Sequence, residues 1–338
     1  MTEPKSNSVL IIAEAGVNHD GDLKQAFKLV DIAAEAGADG VKFQVTLNHD
    51  EVMSTRHSMY DLCKSMLLLE EEWIQIFNYT IKKDLKIILM PCDQQTMLRV
   101  LDNTFEPHYL DLHSVSFYDN ELLSLIKSSR LPLILAIGGR TGSELEKKFI
   151  YFGDQIYCIM VGFQSFPTNF KDLNIEKINK LKKQYPNTKI GYADHTKYAD
   201  NSMIENNLYA LGLGSTIFEK HITIEEGVER IDYISAVGIK KFSMLIKELK
   251  NVKKIRHTNI DVDLNYLSKS EIQYRNREKF AVAAKSLKKG DLISKNTIKY
   301  KLIDSGIGFT PNDIIPNSKI NRHILYDDII LESDFYKN

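Results

Sequence analysis

Residues 9–45 read VLIIAEAGVNHDGDLKQAFKLVDIAAEAGADGVKFQV, and the rest of the chain repeats the pattern they set. Val9 to Ala13 is a short apolar, β-rich run that stops at Glu14. After it, Leu23, Ala26, Phe27, Val30, Ala33 and Ala34 recur at steps of three and four, the period of a helix with one buried face, and Gly37 supplies the stop. Gly40–Val45 then reads as a second strand. Working outward, similar runs occur at Lys86–Met90, Tyr109–Leu112, Leu131–Ile137, Ile156–Val161, Lys189–Tyr192 and Thr216–His221. Helical spacing returns between them, at Trp73, Ile76, Phe77, Thr80 and Ile81, and more weakly at Leu173, Ile178 and Leu181. Eight strands alternating with helices over about 250 residues predict an α/β fold, the (β/α)8 TIM barrel. An open doubly wound sheet is the competing arrangement, usually with fewer strands.

The predicted barrel domain is 1–258. A polar stretch without period, 259–276, reads as a linker. From 277 to 338 the texture changes to short runs such as Phe280–Ala284 and Ile329–Leu331, separated by turns such as Lys289-Gly290-Asp291, and predicts a small, mostly β domain. Composition narrows the function. With 44 Lys+Arg against 45 Asp+Glu the net charge is −1, which lacks the basic excess of a nucleic-acid platform. No apolar run approaches the roughly 20 residues of a membrane span, and Met1 to Ser8 lacks the order of a secretory signal, so a cytoplasmic location is expected. Cys63, Cys92 and Cys158 are an odd count at wide spacing and read as free thiols.

In such barrels the loops after the strands converge on one mouth, and catalytic groups sit there. Those positions hold Glu14 and Asn18, then Lys42 and Gln44, then Asp93, Ser114, Arg140, Gln164 with Ser165, Asp194-His195, and Glu219-Lys220-His221, with Asp232 a little beyond. Glu14 and Lys42 on adjacent strands read either as a catalytic pair or as a buried structural ion pair. His195 and His221 are singly more often satisfied histidines than ligands. As two imidazoles on strands about 4.8 Å apart, they can reach one ion. Oxygen from Glu14 or Asp232 would suit Mn²⁺, Fe²⁺ or Zn²⁺ better than Ca²⁺. Gly138-Gly139-Arg140 reads as an anion-binding turn or as a plain one.

Five segments, Ile12–Gly21, Ala36–Gln44, Phe166-Pro167-Thr168, Gly191–Thr196 and Phe218–Thr223, together resemble the sialic acid synthase family in order and spacing. The tail, through Lys288-Lys289-Gly290-Asp291 to Gly306-Ile307-Gly308-Phe309-Thr310-Pro311, is similar to that family's antifreeze-like (SAF) domain. The resemblance implies condensation of phosphoenolpyruvate (PEP) with an N-acylated amino sugar to a nine-carbon 3-deoxy-2-keto sugar acid. It implies His195 and His221 as ligands of Mn²⁺ or Mg²⁺, with Glu14, Lys42, Gln44 and Asp232 at the reacting substrates. Asn18, Ser114, Arg140, Gln164 and Ser165 are expected around PEP and sugar. It further implies a homodimer with exchanged tails, in which Arg277 or Lys279 reaches the partner's sugar. Where the family carries a fourth-strand lysine, with a glutamate a few residues on, this chain reads Asp111-Leu112-His113-Ser114-Val115-Ser116. Arg140 is expected to take over the phosphate. A related PEP–aldose-phosphate synthase and a non-catalytic sugar- or PEP-binding barrel are the alternatives.

Overall fold

The computed structural model describes residues 9–162, 165–255, 266–304, 306–313, 315 and 318–336. Eight parallel strands close into a barrel in chain order: β1 (Leu10–Gly16), β2 (Gly40–Val45), β3 (Lys86–Pro91), β4 (Tyr109–Leu112), β5 (Leu133–Ala136), β6 (Ile156–Val161), β7 (Lys189–Asp194) and β8 (Ile217–His221). Ile12 lies beside both Gly40 of β2 and Glu219 of β8, which closes the ring. The open doubly wound alternative is thereby excluded.

Strand alternation assigns the side chains. Outward residues such as Val41, Phe43, Ile87, Leu89, Leu133 and Leu135 pack under the helices as one apolar layer. Inward residues Ile12, Ile88, Ile134, Cys158 and Ile217 fill the lower barrel as a separate apolar plug. Two steps further along β1 and β8, the same inward rows carry Glu14 and then Glu219 and His221, so charge begins where the plug ends. The helix Leu23–Ala36 shows the local logic: Asp22 caps its first N–H groups at Lys24 and Gln25, and Gly37 ends it in the left-handed region at φ 85°.

Several boundaries differ from the sequence reading. β1 runs to Gly16 and β7 to Asp194, so Glu14 and Asp194 lie within strands rather than after them. β5 begins at Leu133. After β2, two short helices, His49–Val52 and Tyr60–Ser65, precede the expected one, Glu70–Lys82. No helix among the described residues is long and apolar enough to cross a membrane. The three cysteines are unpaired.

The chain divides into two compact units, Met1–His257 and Thr258–Asn338. The described part of the polar stretch holds a short helix, Lys269–Tyr274, capped by Ser268 and Glu271. In the second unit, β9 (Lys279–Ala283) pairs antiparallel with β10 (Ile298–Leu302). Ala281, Ala283, Leu287, Ile320, Ile324 and Ile330 form that unit's own core.

Gly162, just after β6, adopts φ +136°, and a Cβ there would lie 2.0 Å from the Ala193 carbonyl oxygen. Gly162→Ala should therefore cost about 2–4 kcal/mol. Gly139→Ala, where φ is +68° and no atom lies within 4 Å of the added carbon, should cost only about 1 kcal/mol. Urea unfolding of the two variants checks the difference.

Candidate active site

Above the apolar plug, the Lys42 ammonium lies 2.8 Å from Glu14 Oε2, 2.9 Å from Glu219 Oε1 and 3.5 Å from Asp111 Oδ2. All four groups are buried. Three carboxylates thus surround one cation. Burial raises the Glu14 pKa to about 8 despite the attraction of Lys42. It also raises those of Asp111 and Glu219. At neutral pH the cluster therefore retains a proton. Burial works against the Lys42 charge too, but Asp111, Glu14 and Glu219 override it and hold its pKa well above the usual value. Gln44 Nε2 donates to Glu14 Oε1 at 3.3 Å and fixes that carboxyl from the other side.

A cavity opens above this floor, and Glu14, Lys42, Gln44, Ser114, His195 and His221 all line it. The His195 and His221 ring centroids are 5.2 Å apart, with Phe166 edge-on to both. Burial, the largest cause, lowers the His195 pKa to about 3 and that of His221 well below its ordinary value, so both rings are neutral. A 3.2 Å contact between His195 Nδ1 and the Ala193 carbonyl places the ring proton on Nδ1 and the lone pair on Nε2. His221 Nδ1 is buried without a hydrogen-bond partner, 3.9 Å from Asp232 Oδ2. Burial raises the Asp232 pKa to about 6.

The loop carrying His195 is clamped from behind. Lys220 Nζ donates to Asp194 Oδ1 at 2.5 Å and to the Thr196 carbonyl at 2.8 Å, on either side of His195. Ser235 Oγ and the Thr168 N–H both bond the His195 carbonyl.

Other expected residues stand elsewhere. Asn18 is buried and donates to the Ile222 carbonyl at 2.9 Å, tying the first loop to the end of β8. Arg140 does not line this cavity. One guanidinium nitrogen donates to the Ser114 carbonyl at 2.5 Å, and the group sits 4.6 Å over the Phe117 ring. Ser165 Oγ donates to the Pro167 carbonyl. Gln164 lies outside the described residues. Arg277 and Lys279 are exposed in the second unit, Arg277 against the Tyr274 ring.

Two residues of the floor and wall, Asp111 and His113, were not singled out from the sequence as site residues, and Glu219, expected at the end of the eighth strand, joins them in the floor. Their signal is the two-residue alternation, which places Asp111 and His113 on one inward row and Glu219 with His221 on another.

A parallel (β/α)8 barrel with a charged floor, paired imidazoles and an open mouth is built as enzyme active sites of this fold are. The NeuB family model matches residues 29–261, and the chain belongs to that family, the sialic acid synthases. It is 28% identical over 334 residues to an uncharacterized protein of Methanocaldococcus jannaschii, covering 98% of this chain and 95% of that one. It is 26% identical over 346 residues to a pseudaminic acid synthase of Campylobacter jejuni, covering 97% and 96%. Among solved structures, it is similar to the N-acetylneuraminic acid synthetase of Leptospira borgpetersenii in complex with citrate. That match has TM-score 0.71 and 30% identity and covers 80% of this chain and 92% of the other.

Lys42→Met would strand three buried carboxylates and should lower stability by about 3–5 kcal/mol. Adding Asp111→Asn should recover part of that loss, because the two positions share one interaction. A double-mutant cycle in urea measures the coupling.

Proposed function

We propose that this chain condenses PEP with an N-acyl amino sugar, N-acetylmannosamine or a deoxy analogue, releasing phosphate and a nine-carbon 3-deoxy-2-keto acid of the sialic type. It would thus be a C–C bond-forming transferase of sialic-acid biosynthesis, acting in the cytoplasm. The observation that carries the reading is the convergence of Glu14, Lys42, Gln44, His195 and His221 on one cavity in a chain of this family. In the reaction C3 of PEP bonds to the aldehyde carbon of the open-chain sugar and the aldehyde oxygen takes a proton. Water adds at C2, and the C2–O bond to phosphate breaks.

The chain's own groups divide this work. Glu14, whose pKa burial raises and whose carboxyl Gln44 holds, is assigned to deliver a proton to the aldehyde oxygen. Lys42 fixes that carboxyl and balances the charge around it. Asp232, 3.9 Å from His221 Nδ1, is assigned to a sugar hydroxyl.

No three His, Cys, Asp or Glu side chains among the described residues are gathered as a ready metal cluster. Two neutral imidazoles, one with an unpartnered buried nitrogen, nevertheless suit an ion that accepts nitrogen, Mn²⁺ better than Mg²⁺. His195 and His221 would hold it with oxygen from Asp232 or substrate. When bound, it supplies a Lewis acid for the aldehyde.

Arg140, through the turn that also lines the cavity at Gly138, is assigned to the phosphate with Ser114, Gln164 and Ser165. The second unit is proposed to be an SAF domain, exchanged within a homodimer so that Arg277 or Lys279 meets the partner's sugar. That part rests on the family resemblance. A sugar-binding barrel without turnover is the second reading, favoured by Asp111 at the position of the family's lysine.

Phosphate release from PEP, assayed over a panel of N-acyl hexosamines with Mn²⁺ or Mg²⁺, separates the two. His195→Ala and His221→Ala should each lower turnover roughly 100-fold or more with little loss of stability. The Mn²⁺ electron paramagnetic resonance signal should show loss of the bound ion in both. Normal ion binding in both variants would remove the metal assignment.

A further inference from the structure

The loop between β8 and the helix Ile239–Ile255 carries Asp232 and, two residues before it, Arg230. Asp232 comes in over the end of β1. A Cβ added at Gly16, where φ is +53°, would lie 2.6 Å from Asp232 Oδ2, so any side chain there would push the carboxyl away. The same added carbon would lie 3.5 Å from Glu14 Oε1 and 3.5 Å from His221 Nδ1. Gly16 thus marks the point where three groups of the site meet. Asp232 stands well beyond β8, so the strand by itself does not bring it there.

Two sets of bonds hold its loop. On the side of β7, Ser235 Oγ donates to the His195 carbonyl and the Tyr198 N–H to the Ile234 carbonyl, both at 2.8 Å. On the side of β1 the bonds come from Arg230. Its Nη1 pairs with the Asp20 carboxylate and donates to the Asn18 carbonyl at 3.3 Å and to Gln25 Oε1 at 3.0 Å. The Arg230 side chain is only 12% exposed. Asp20 sits in the left-handed region at φ 50°. Asn18 is itself fixed, because its side chain donates to the Ile222 carbonyl at 2.9 Å. Arg230 therefore grips a part of the first loop that is already anchored to the end of β8.

We propose that Arg230 is a positioning residue for the condensation: its guanidinium latches the loop after β8 onto the loop after β1 and so holds the Asp232 carboxyl over Gly16, beside His221. The inference rests on the proposed reaction, in which Asp232 meets a sugar hydroxyl. Arg230 touches protein groups and acts through Asp232. A partly exposed ion pair adds little to global stability, whereas a misplacement of about 1 Å at a reacting site can cost about a hundredfold in rate. The effect of losing Arg230 therefore falls on the handling of the sugar.

The full chain is assayed with Mn²⁺, PEP and the N-acyl hexosamine that the wild type turns over fastest. Arg230→Met should raise the sugar KM about tenfold and leave the PEP KM within about twofold. Arg230→Lys, a point charge in place of the fork, should recover part of that loss. Asp20→Asn keeps a residue that tolerates the left-handed region, removes only the charge, and should raise the sugar KM about threefold. Added to Asp232→Asn, Arg230→Met should lower kcat/KM for the sugar by less than about twofold more, because both act at one contact. An unchanged sugar KM in Arg230→Met would overturn the assignment. So would an equal rise in both KM values, or losses that add in the double variant, as a residue that merely stabilised the fold would give.

The latch itself is read without substrate, by hydrogen–deuterium exchange of the full-length protein. In Arg230→Met, segments 16–21 and 228–234 should exchange about tenfold faster while β7 keeps its protection. Unchanged exchange in both segments would remove the latch. Faster exchange, with no phosphate release by the wild type on any sugar of the panel, would leave the latch standing and remove the proposed reaction.

Discussion

One ammonium among three buried carboxylates fixes the geometry of this barrel's mouth. Lys42 on β2 reaches Glu14 on β1, Glu219 on β8 and Asp111 on β4, so four strands are joined at one level by charge rather than by apolar contact. The plug beneath supplies the low-dielectric surroundings that strengthen these attractions and also penalise every unbalanced charge. The balance leaves a proton on the cluster, which is how a carboxyl can act as an acid in neutral water. Removal of water from beneath thus decides both the rigidity and the protonation of the floor.

The barrel was legible because its strands are buried on both faces. A parallel strand under helices reads as a continuous apolar run, and runs such as Ile87–Met90 or Leu133–Leu135 carry that signal without alternation. The site was legible where ionisable groups interrupt such runs, as Glu14, Lys42 and His221 do. Asp111 escaped because β4 is only four residues long, and an aspartate in a short run reads as its boundary. The two short helices after β2 escaped for another reason. Neither Asn48 nor Met59 makes a side-chain cap, and each helix is held by its tertiary setting rather than by local propensity. The helix Lys269–Tyr274 carries a capping box at Ser268 and Glu271 but no apolar stripe after it, so periodicity alone passed over it. The loop between β2 and the helix Glu70–Lys82 was therefore the part least visible in the sequence.

The excess of carboxylates also divides the space above them. An anion brought next to Lys42 would meet Glu14, Asp111 and Glu219 as well, so the cluster as a whole does not attract one. On the side of β4 and β5, Arg140 is bonded to the Ser114 carbonyl and stacked on Phe117. Ser114 lines the cavity, and the Arg140 guanidinium bonded to its carbonyl also faces Glu144 Oε1 at 3.5 Å.

Placing His195 and His221 opposite each other demands more than adjacent strands, because His195 follows the last residue of β7 and belongs to a loop. Lys220, pointing outward between Glu219 and His221, is fully buried, and its bonds to Asp194 and Thr196 bracket His195 on both sides. The same strand therefore presents one imidazole to the cavity and, through its outward lysine, anchors the loop that presents the other. A buried ion pair contributes little net stability when an apolar pair could replace it, but here it meets backbone carbonyls that an apolar side chain would leave unpaired. Its contribution lies in position: a shift of β8 would carry both rings together and preserve the 5.2 Å between them, which a pair of independent loops would not do.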